Sequence, residues 1–510
     1  MKLTCNKFAD TLSKKQDLIH LAILLVIALG IGIYLISTTV VITKDGVWYI
    51  QEAGKFSSDL QDVNDDLPFG YTFLIFATHK LVASLRGSSS LFTWIYSAQS
   101  ITLLCRLLSL IPLYFIGKLL VGSKRSFWAI LILIILPYPA KFVSEIIREW
   151  PHILFLSSGF LFLIWGAKQG KCRMFGATGF AAGLGHMIRP ECAQLIIYGA
   201  LWIFIRLFSP KPGMSRPKLL CALSVLIIGF VIPAVPYMTA RGQFLPAKLK
   251  ALISPADLDE SEEIQKPETN SGNDAFTASS APGKIVKAID ELAGAMSENL
   301  MYFFVPALLI GIYFRFRKQS STTEIERFFV PAFIVLNVVM LITLYYSWGY
   351  ISRRHSLPLV VFTIFYVPIG LEVSAGWLAN RFSKSRAASE QDRRLWFFIL
   401  LITGMVICMP KLLRLSGSDK QGYRTAAAWL KENTDREDLI AVPDSRITFY
   451  AERKGLIYDD APLTRAEYVV IFVKNENEKP DFVKAAKEEY SVWVDKYKKS
   501  TKLVIYKMPI

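Results

Sequence analysis

Long apolar runs separated by short polar stretches dominate residues 18–410. They fall near 18–43, 91–121, 126–144, 151–167, 174–189, 191–208, 219–239, 298–316, 328–347, 355–376 and 395–410. About 20 apolar residues suffice for one helical crossing of a bilayer, so the pattern predicts a polytopic α-helical membrane protein with about 11 spans. A further stretch, residues 69–86, is apolar but interrupted by His79 and Lys80. It predicts an interfacial helix in the first outer loop. Residues 240–297 include DLDESEEIQKPETNSGNDAFTASSAPG, rich in Ser, Asn and Pro, which predicts a flexible loop.

From residue 411 onward the period changes. RTAAAWLKENT and DFVKAAKEEYSVWVDKY carry helical spacing, whereas DLIAV, GLIY, EYVVIF and KLVIYKM carry that of short strands. The expected organisation is a membrane domain over 1–410 and a small α/β domain over 411–510.

Composition agrees with the pattern. Of 510 residues, 53% are hydrophobic, and the mean hydropathy is +0.36, which excludes an ordinary soluble protein. The formal charge of +16 in a soluble chain would suggest a nucleic-acid partner, yet no basic tract or nucleic-acid motif is present. The excess belongs to alternate loops. Lys118, Lys124 and Arg125 lie in one; Lys168, Lys171 and Arg173 in another; Arg206, Lys211, Arg216 and Lys218 in a third. Arg315, Arg317 and Lys318, then Arg381, Lys384, Arg386, Arg393 and Arg394, continue the series. By the positive-inside rule these loops and the N-terminus are cytoplasmic, and the C-terminal domain is extracytoplasmic. Lys2, Lys7, Lys14 and Lys15 precede the first run with no small-residue cleavage site after it, which predicts a retained signal anchor. The expected location is the plasma (inner) membrane.

The six cysteines are scattered and form no C-x-x-C pair, and the five histidines show no ligand spacing. Neither a disulfide framework, a metal site nor any other cofactor is indicated.

Four polar clusters fall on the outer face. In the first, Asp45 follows the first run directly, with Gly46 and Tyr49 behind it and Asp65, Asp66 and Pro68–Tyr71 further on. Asp45 is either a solvated loop acid or a base presented at the membrane surface; Asp65 and Asp66 read as a solvated turn. The second cluster is Ile147-Arg148-Glu149-Trp150-Pro151, where Arg148 and Glu149 form either an ordinary ion pair or part of a site. The third is His186-Met187-Ile188-Arg189-Pro190-Glu191. Charges at membrane depth are costly and usually functional, so Arg189 and Glu191 carry more weight. The fourth, Trp348–His355, holds Tyr350, Arg353, Arg354 and His355. Its two arginines either snorkel to headgroups or bind a phosphate. His355 is either a hydrogen-bonded structural residue or a substrate contact.

An outer carboxylate can take the proton of an acceptor hydroxyl, and arginines can neutralise a departing phosphate. Many spans provide a groove for a lipid that bears that phosphate. No Walker loop or G-x-G-x-x-G opens a helix, so nucleotide-driven chemistry has no support. The combination points to sugar transfer from a polyprenyl phosphate. A flippase or transporter of lipid-linked glycans is the alternative, though no internal repeat is evident. A non-catalytic envelope scaffold would not require these charges on one face.

KDGVWY after the first run, REWP, RPE and GYISRRHSLP together resemble the GT-C superfamily of integral-membrane glycosyltransferases, in the protein O-mannosyltransferase and aminoarabinose-transferase branch. The resemblance spans about residues 1–376. It implies a polytopic GT-C fold, a polyprenyl-phosphate-sugar donor, and a glycan, lipid or protein acceptor among membrane lipids. It further implies that Asp45 is the catalytic base and Glu149 a second acid. Tyr49, Arg148, Arg189, Glu191, Tyr350, Arg353, Arg354 and His355 are then candidates for substrate binding. The family's first-loop Asp-Glu pair is replaced here by Asp45-Gly46.

Overall fold

The computed structural model describes residues 15–57, 68–209, 214–242, 281–317, 322–382, 389–457, 466–474, 481–483 and 485–509. Asp65 and Asp66, and most of the loop after 242, lie outside them. A helical bundle carries a small sheet domain at its C-terminal end, as the sequence predicts.

Helix α1 (Lys15–Ser37) is followed by α2 (Lys44–Lys55), α3 (Gly70–Arg86), α4 (Leu91–Val121), α5 (Ser123–Ile135) and the short α6 (Pro137–Lys141). Next come α7 (Glu149–Gln169), α8 (Cys172–His186), α9 (Gln194–Phe208) and α10 (Arg216–Arg241). The bundle closes with α11 (Ala281–Asn299), α12 (Phe304–Arg317), α13 (Glu324–Trp348), α14 (Arg353–Thr363), α15 (Val367–Phe382) and α16 (Glu390–Leu413). Among the described residues, eight helical stretches are long and apolar enough to cross a membrane, and the α11–α12 pair, bent by 107°, makes nine if it is counted as one broken span. The expected spans 126–144 and 174–189 are shorter helices, α5 of 13 residues and α8 of 15. At about 1.5 Å per residue neither matches a full hydrocarbon core. α8 compensates by close packing: its Gly179 faces the backbone of Leu226 on α10, where a Cβ would stand only 2.1 Å from the carbonyl oxygen. Small residues permit this approach between membrane helices.

Polar clamps tie the spans together inside the bundle. Asn337 on α13 donates to Gln194 Oε1 on α9 at 2.9 Å, and Tyr198 donates to the same oxygen at 2.7 Å. Asp17 at the start of α1 meets Lys118 of α4 at 2.6 Å, and Arg315 meets the fully buried Glu326 at 2.7 Å. Within a low-dielectric bundle such groups are tolerated only when partnered.

Four expectations are corrected. The first apolar run does not continue to residue 43: α1 ends at Ser37, and a separate amphipathic helix, α2, starts at Lys44. Thr43 caps it by accepting from Gly46 N at 3.0 Å, a local signal for helix initiation. The run 126–144 breaks at Leu136, because Pro137 and Pro139 remove backbone donors from its continuation. Residues 281–297 are not loop but the body of α11, whose sequence AIDELAGAM has helical apolar spacing. Finally, DFVKAAKEEYSVWVDKY is not a helix. Asp481–Val483 forms one 3-10 turn and Lys487–Trp493 is a strand, where Tyr490, Val492 and Trp493 are residue types that favour a pleated pairing.

After a turn at Ser418–Lys420, the C-terminal unit comprises α17 (Gln421–Asn433), β1 (Leu439–Val442), α18 (Ser445–Ala451), β2 (Lys454–Ile457), β3 (Tyr468–Val473), β4 (Lys487–Trp493) and β5 (Lys502–Lys507). The sheet order is β2-β1-β3-β5-β4. β1 pairs in parallel with β2 and β3, whereas β5 is antiparallel to β3 and β4. This unit rests on α2 and α3 through one shared apolar core that includes Val47, Ile50, Tyr71, Ile447 and Tyr450. Ile42 N donates to Tyr450 Oη at 3.1 Å, fixing the segment that leads to Asp45.

Candidate active site

The four polar clusters, far apart in sequence, converge at one end of the bundle. Asp45 occupies the first turn of α2, where a carboxylate complements the helix dipole. Thr43 Oγ1 donates to Glu145 O at 2.6 Å, so the cap of α2 is fastened to the segment between α6 and α7. Gly46 makes that docking feasible: a Cβ there would lie 2.9 Å from the Glu145 carbonyl oxygen. The space a side chain at position 46 would enter is taken by that oxygen together with Ile146 Cβ and Thr43 Oγ1. Ile146, next along, holds φ at 57°. For a β-branched residue this left-handed conformation is strained, and it turns the segment sharply into α7.

Arg354, in the first turn of α14, donates through Nη1 to Asp45 Oδ2 across 309 residues of sequence. The pair lies at the mouth of the site, with the Asp45 side chain 44% exposed and that of Arg354 35%. Beneath it lies a buried layer. Arg189 Nη1 approaches Glu149 Oε1 at 3.3 Å, and Arg189 Nη2 approaches Glu191 Oε1 at 3.5 Å. Glu149 therefore pairs with Arg189 and not with its neighbour Arg148, whose Nη1 is buried without a hydrogen-bond partner. Gly70 N donates to Met187 O at 2.8 Å, joining the start of α3 to the segment that bears Arg189.

Tyr49 is buried among these charges, its ring 4.9 Å from that of Tyr71. Burial pushes its phenol above the usual value; Glu149 and Asp45 push the same way, while Arg148 and Arg189 oppose them. Tyr350 flanks the mouth, and its phenol is likewise raised by burial and by Asp45 against the pull of Arg354. His355 serves the backbone: its Nδ1 accepts from Ser352 N at 3.3 Å and closes the N-terminus of α14.

Arg353 turns away from Arg354. It meets Glu298 at 3.2 Å, and its guanidinium lies 4.0 Å above the Tyr138 ring. Lys411 stands 4.1 Å from the same ring. Asn299 Nδ2 donates to Arg353 O at 2.8 Å and to Ser356 Oγ at 3.0 Å, locking α11 to α14.

Sequence reasoning missed Tyr138, Lys411, Asn299 and, above all, Glu145. Burial raises the Glu145 carboxyl; Arg354, Lys141 and Arg353 oppose that rise, and Glu149 adds to it. An acid immediately after an apolar run, four positions before Glu149, was the available signal. Among the described residues, no group of three or more His, Cys, Asp or Glu is arranged to hold a metal ion. The arrangement offers an exposed carboxylate beside fixed positive charge at the rim of an apolar bundle.

The family described as dolichyl-phosphate-mannose-protein mannosyltransferase matches residues 71–237, a region that holds Glu149, Arg189 and Glu191. Comparison of the sequence with curated proteins finds no match. Among solved structures, ArnT from Cupriavidus metallidurans bound to undecaprenyl phosphate is similar over 97% of this chain and 98% of its own, with 12% identity and a TM-score of 0.57. The oligosaccharyltransferase AglB from Archaeoglobus fulgidus, in complex with an inhibitory peptide and a dolichol-phosphate, is similar over 90% of this chain and 69% of its own, with 14% identity and a TM-score of 0.56. The apo oligosaccharyltransferase of the same organism gives a TM-score of 0.55 at 14% identity, over 90% of this chain and 70% of its own.

Proposed function

From the GT-C fold of membrane glycosyltransferases that the chain shares with ArnT and AglB, we propose that it moves a sugar from a polyprenyl-phosphate donor to an acceptor hydroxyl. The observation that carries this reading is the Asp45–Arg354 pair, a solvent-accessible carboxylate and a guanidinium at the rim of a bundle of helices long and apolar enough to cross a membrane. The reaction requires one base and one anion site. Asp45 takes the proton of the acceptor O–H as that oxygen attacks the anomeric carbon. The bond from that carbon to the phosphate oxygen breaks, and polyprenyl phosphate leaves with the electron pair. Attack from the face opposite the phosphate inverts the anomeric centre. A phosphate is already a good leaving group, so no general acid is obligatory.

Arg354 neutralises the departing phosphate, with Arg353 and Lys411 extending the positive rim around Tyr138. Charge-assisted contacts to a phosphate favour guanidinium, whose planar fork matches two oxygens. Glu149, clamped by Arg189, orients the acceptor from the layer beneath. The basic residues of the alternate loops support an orientation in which this end of the bundle and the α/β unit face the extracytoplasmic side of the plasma membrane.

The test is incubation of purified protein with a panel of polyprenyl-phosphate sugars. Polyprenyl phosphate should be released from at least one donor, and Asp45→Asn should slow that release by about 10²–10⁴. Wild-type protein that only relocates a lipid-linked glycan across vesicles, without cleaving it, would overturn the assignment.

A further inference from the structure

The turn between β4 and β5 takes no part in the chemistry above, yet its position and composition are specific. Val40 N, just beyond α1, donates to Ser416 O, just beyond α16, at 2.9 Å. The two spans thus leave the bundle side by side, and α17 starts one 3-10 turn (Ser418–Lys420) later. β4 lies along α17 in the opposite sense. Trp429, far along the helix, stacks on Tyr490 at 5.5 Å, whereas Gly422 N, at its start, donates to Val494 O at 2.9 Å. The chain that leaves β4 is therefore returned to the level at which the spans emerge.

The turn is preformed. The Asp495 carboxylate accepts from Tyr497 N at 2.8 Å and Lys498 N at 3.2 Å, and Lys499 N donates to Asp495 O at 3.1 Å. Its acid is spent on the turn, while Lys496, Lys498 and Lys499 are exposed and Tyr497 is 84% exposed. Behind it, Lys502 lies 4.8 Å from the Trp493 ring.

We propose that this turn is a membrane foot: it binds anionic phospholipid headgroups and holds the α/β unit down on the bilayer beside the site. Lysine ammonium groups pair with headgroup phosphates, and a tyrosine ring suits the interface, apolar in body and polar at its tip. Charge selects anionic over zwitterionic lipid. Each lysine near an anionic surface contributes about fivefold to partitioning. Because the turn is ordered beforehand, little conformational freedom is lost on contact.

Hydrogen exchange of the 494–502 segment tests this in full-length protein held in nanodiscs. The lipid is phosphatidylcholine alone or phosphatidylcholine with phosphatidylglycerol. Exchange should slow by at least about fivefold in the anionic discs, the contribution of a single lysine. K496Q/K498Q/K499Q should remove the difference, and Tyr497→Ala should reduce it. Unchanged protection of β3 and β5 in the variants confirms that the sheet stays folded. Equal exchange in the two lipids would overturn the proposal, as would slowing that survives the triple substitution. Slowing by a soluble anionic polysaccharide in phosphatidylcholine discs, with none from phosphatidylglycerol, would assign the turn to a glycan instead.

Discussion

Replacing Arg189 with methionine keeps most of its bulk and removes its charge, and so measures what holds the lower layer of the site together. In the native protein Glu149 is 5% exposed and Arg189 is 6% exposed. Their contact, through Glu149 Oε1, is 3.3 Å, and Glu149 Oε2 has no hydrogen-bond partner. Arg189→Met therefore takes the ion-pair partner from the Glu149 carboxylate and leaves it only the field of its other neighbours, Arg354 among them. Glu191 loses the same guanidinium, but its side chain is 22% exposed against 6% for that of Glu149. Deleting one member of a buried pair costs about 3–5 kcal/mol, whereas an exposed pair is worth about 0–1 kcal/mol. The larger share of the loss should fall on Glu149, the more deeply buried of the two carboxylates. A second substitution, Glu149→Gln, removes that charge and should recover more than half of the loss. The assay is a four-protein cycle, with unfolding followed in detergent micelles by intrinsic fluorescence. A loss below about 1 kcal/mol in Arg189→Met, or no recovery in the double variant, would refute the buried-pair argument.

Other outcomes follow from the same geometry. Asp45→Asn keeps size but cannot accept a proton, so turnover should fall by about 10²–10⁴ with donor binding near wild type; retained anomeric configuration in the product would show that the chemistry lies elsewhere. Arg354→Ala should reduce donor use by about one to two orders of magnitude, with Lys rescuing only in part; unchanged donor affinity removes this residue from the phosphate site. Burial holds the Glu145 carboxyl above its ordinary value, so its ionisation opposes folding at neutral pH and that penalty fades as pH falls towards the ordinary carboxyl range. Glu145→Gln should therefore stabilise the protein at neutral pH, by an amount that shrinks on acidification; a benefit that grows on acidification contradicts the sign. A cysteine probe at position 460 should label from outside the cell and one at 385 should not; the reverse pattern would place the site on the cytoplasmic side.

Much of this architecture was legible in the sequence. Runs such as 91–121 and 395–410 are apolar enough that only a membrane can solvate them, and the continuous apolar runs in EYVVIF and KLVIYKM suit central strands covered on both faces. Asp45, Glu149, Arg189 and Arg354 stood out because charges beside apolar runs are costly unless something uses them. Local pattern failed where tertiary packing overrode it. EEYSVWV followed a helical-looking DFVKAAK, and only pairing with β5 settled it as a strand. α2 is short and polar on one face, and it is stabilised by the α/β unit packed over it. Which charges meet was beyond any local reading. Glu149 sits beside Arg148 in sequence but faces Arg189, while Arg353 and Arg354 part company within one helical turn. Successive residues on a helix point about 100° apart, and the partner each one finds is set by whichever other helix is packed there.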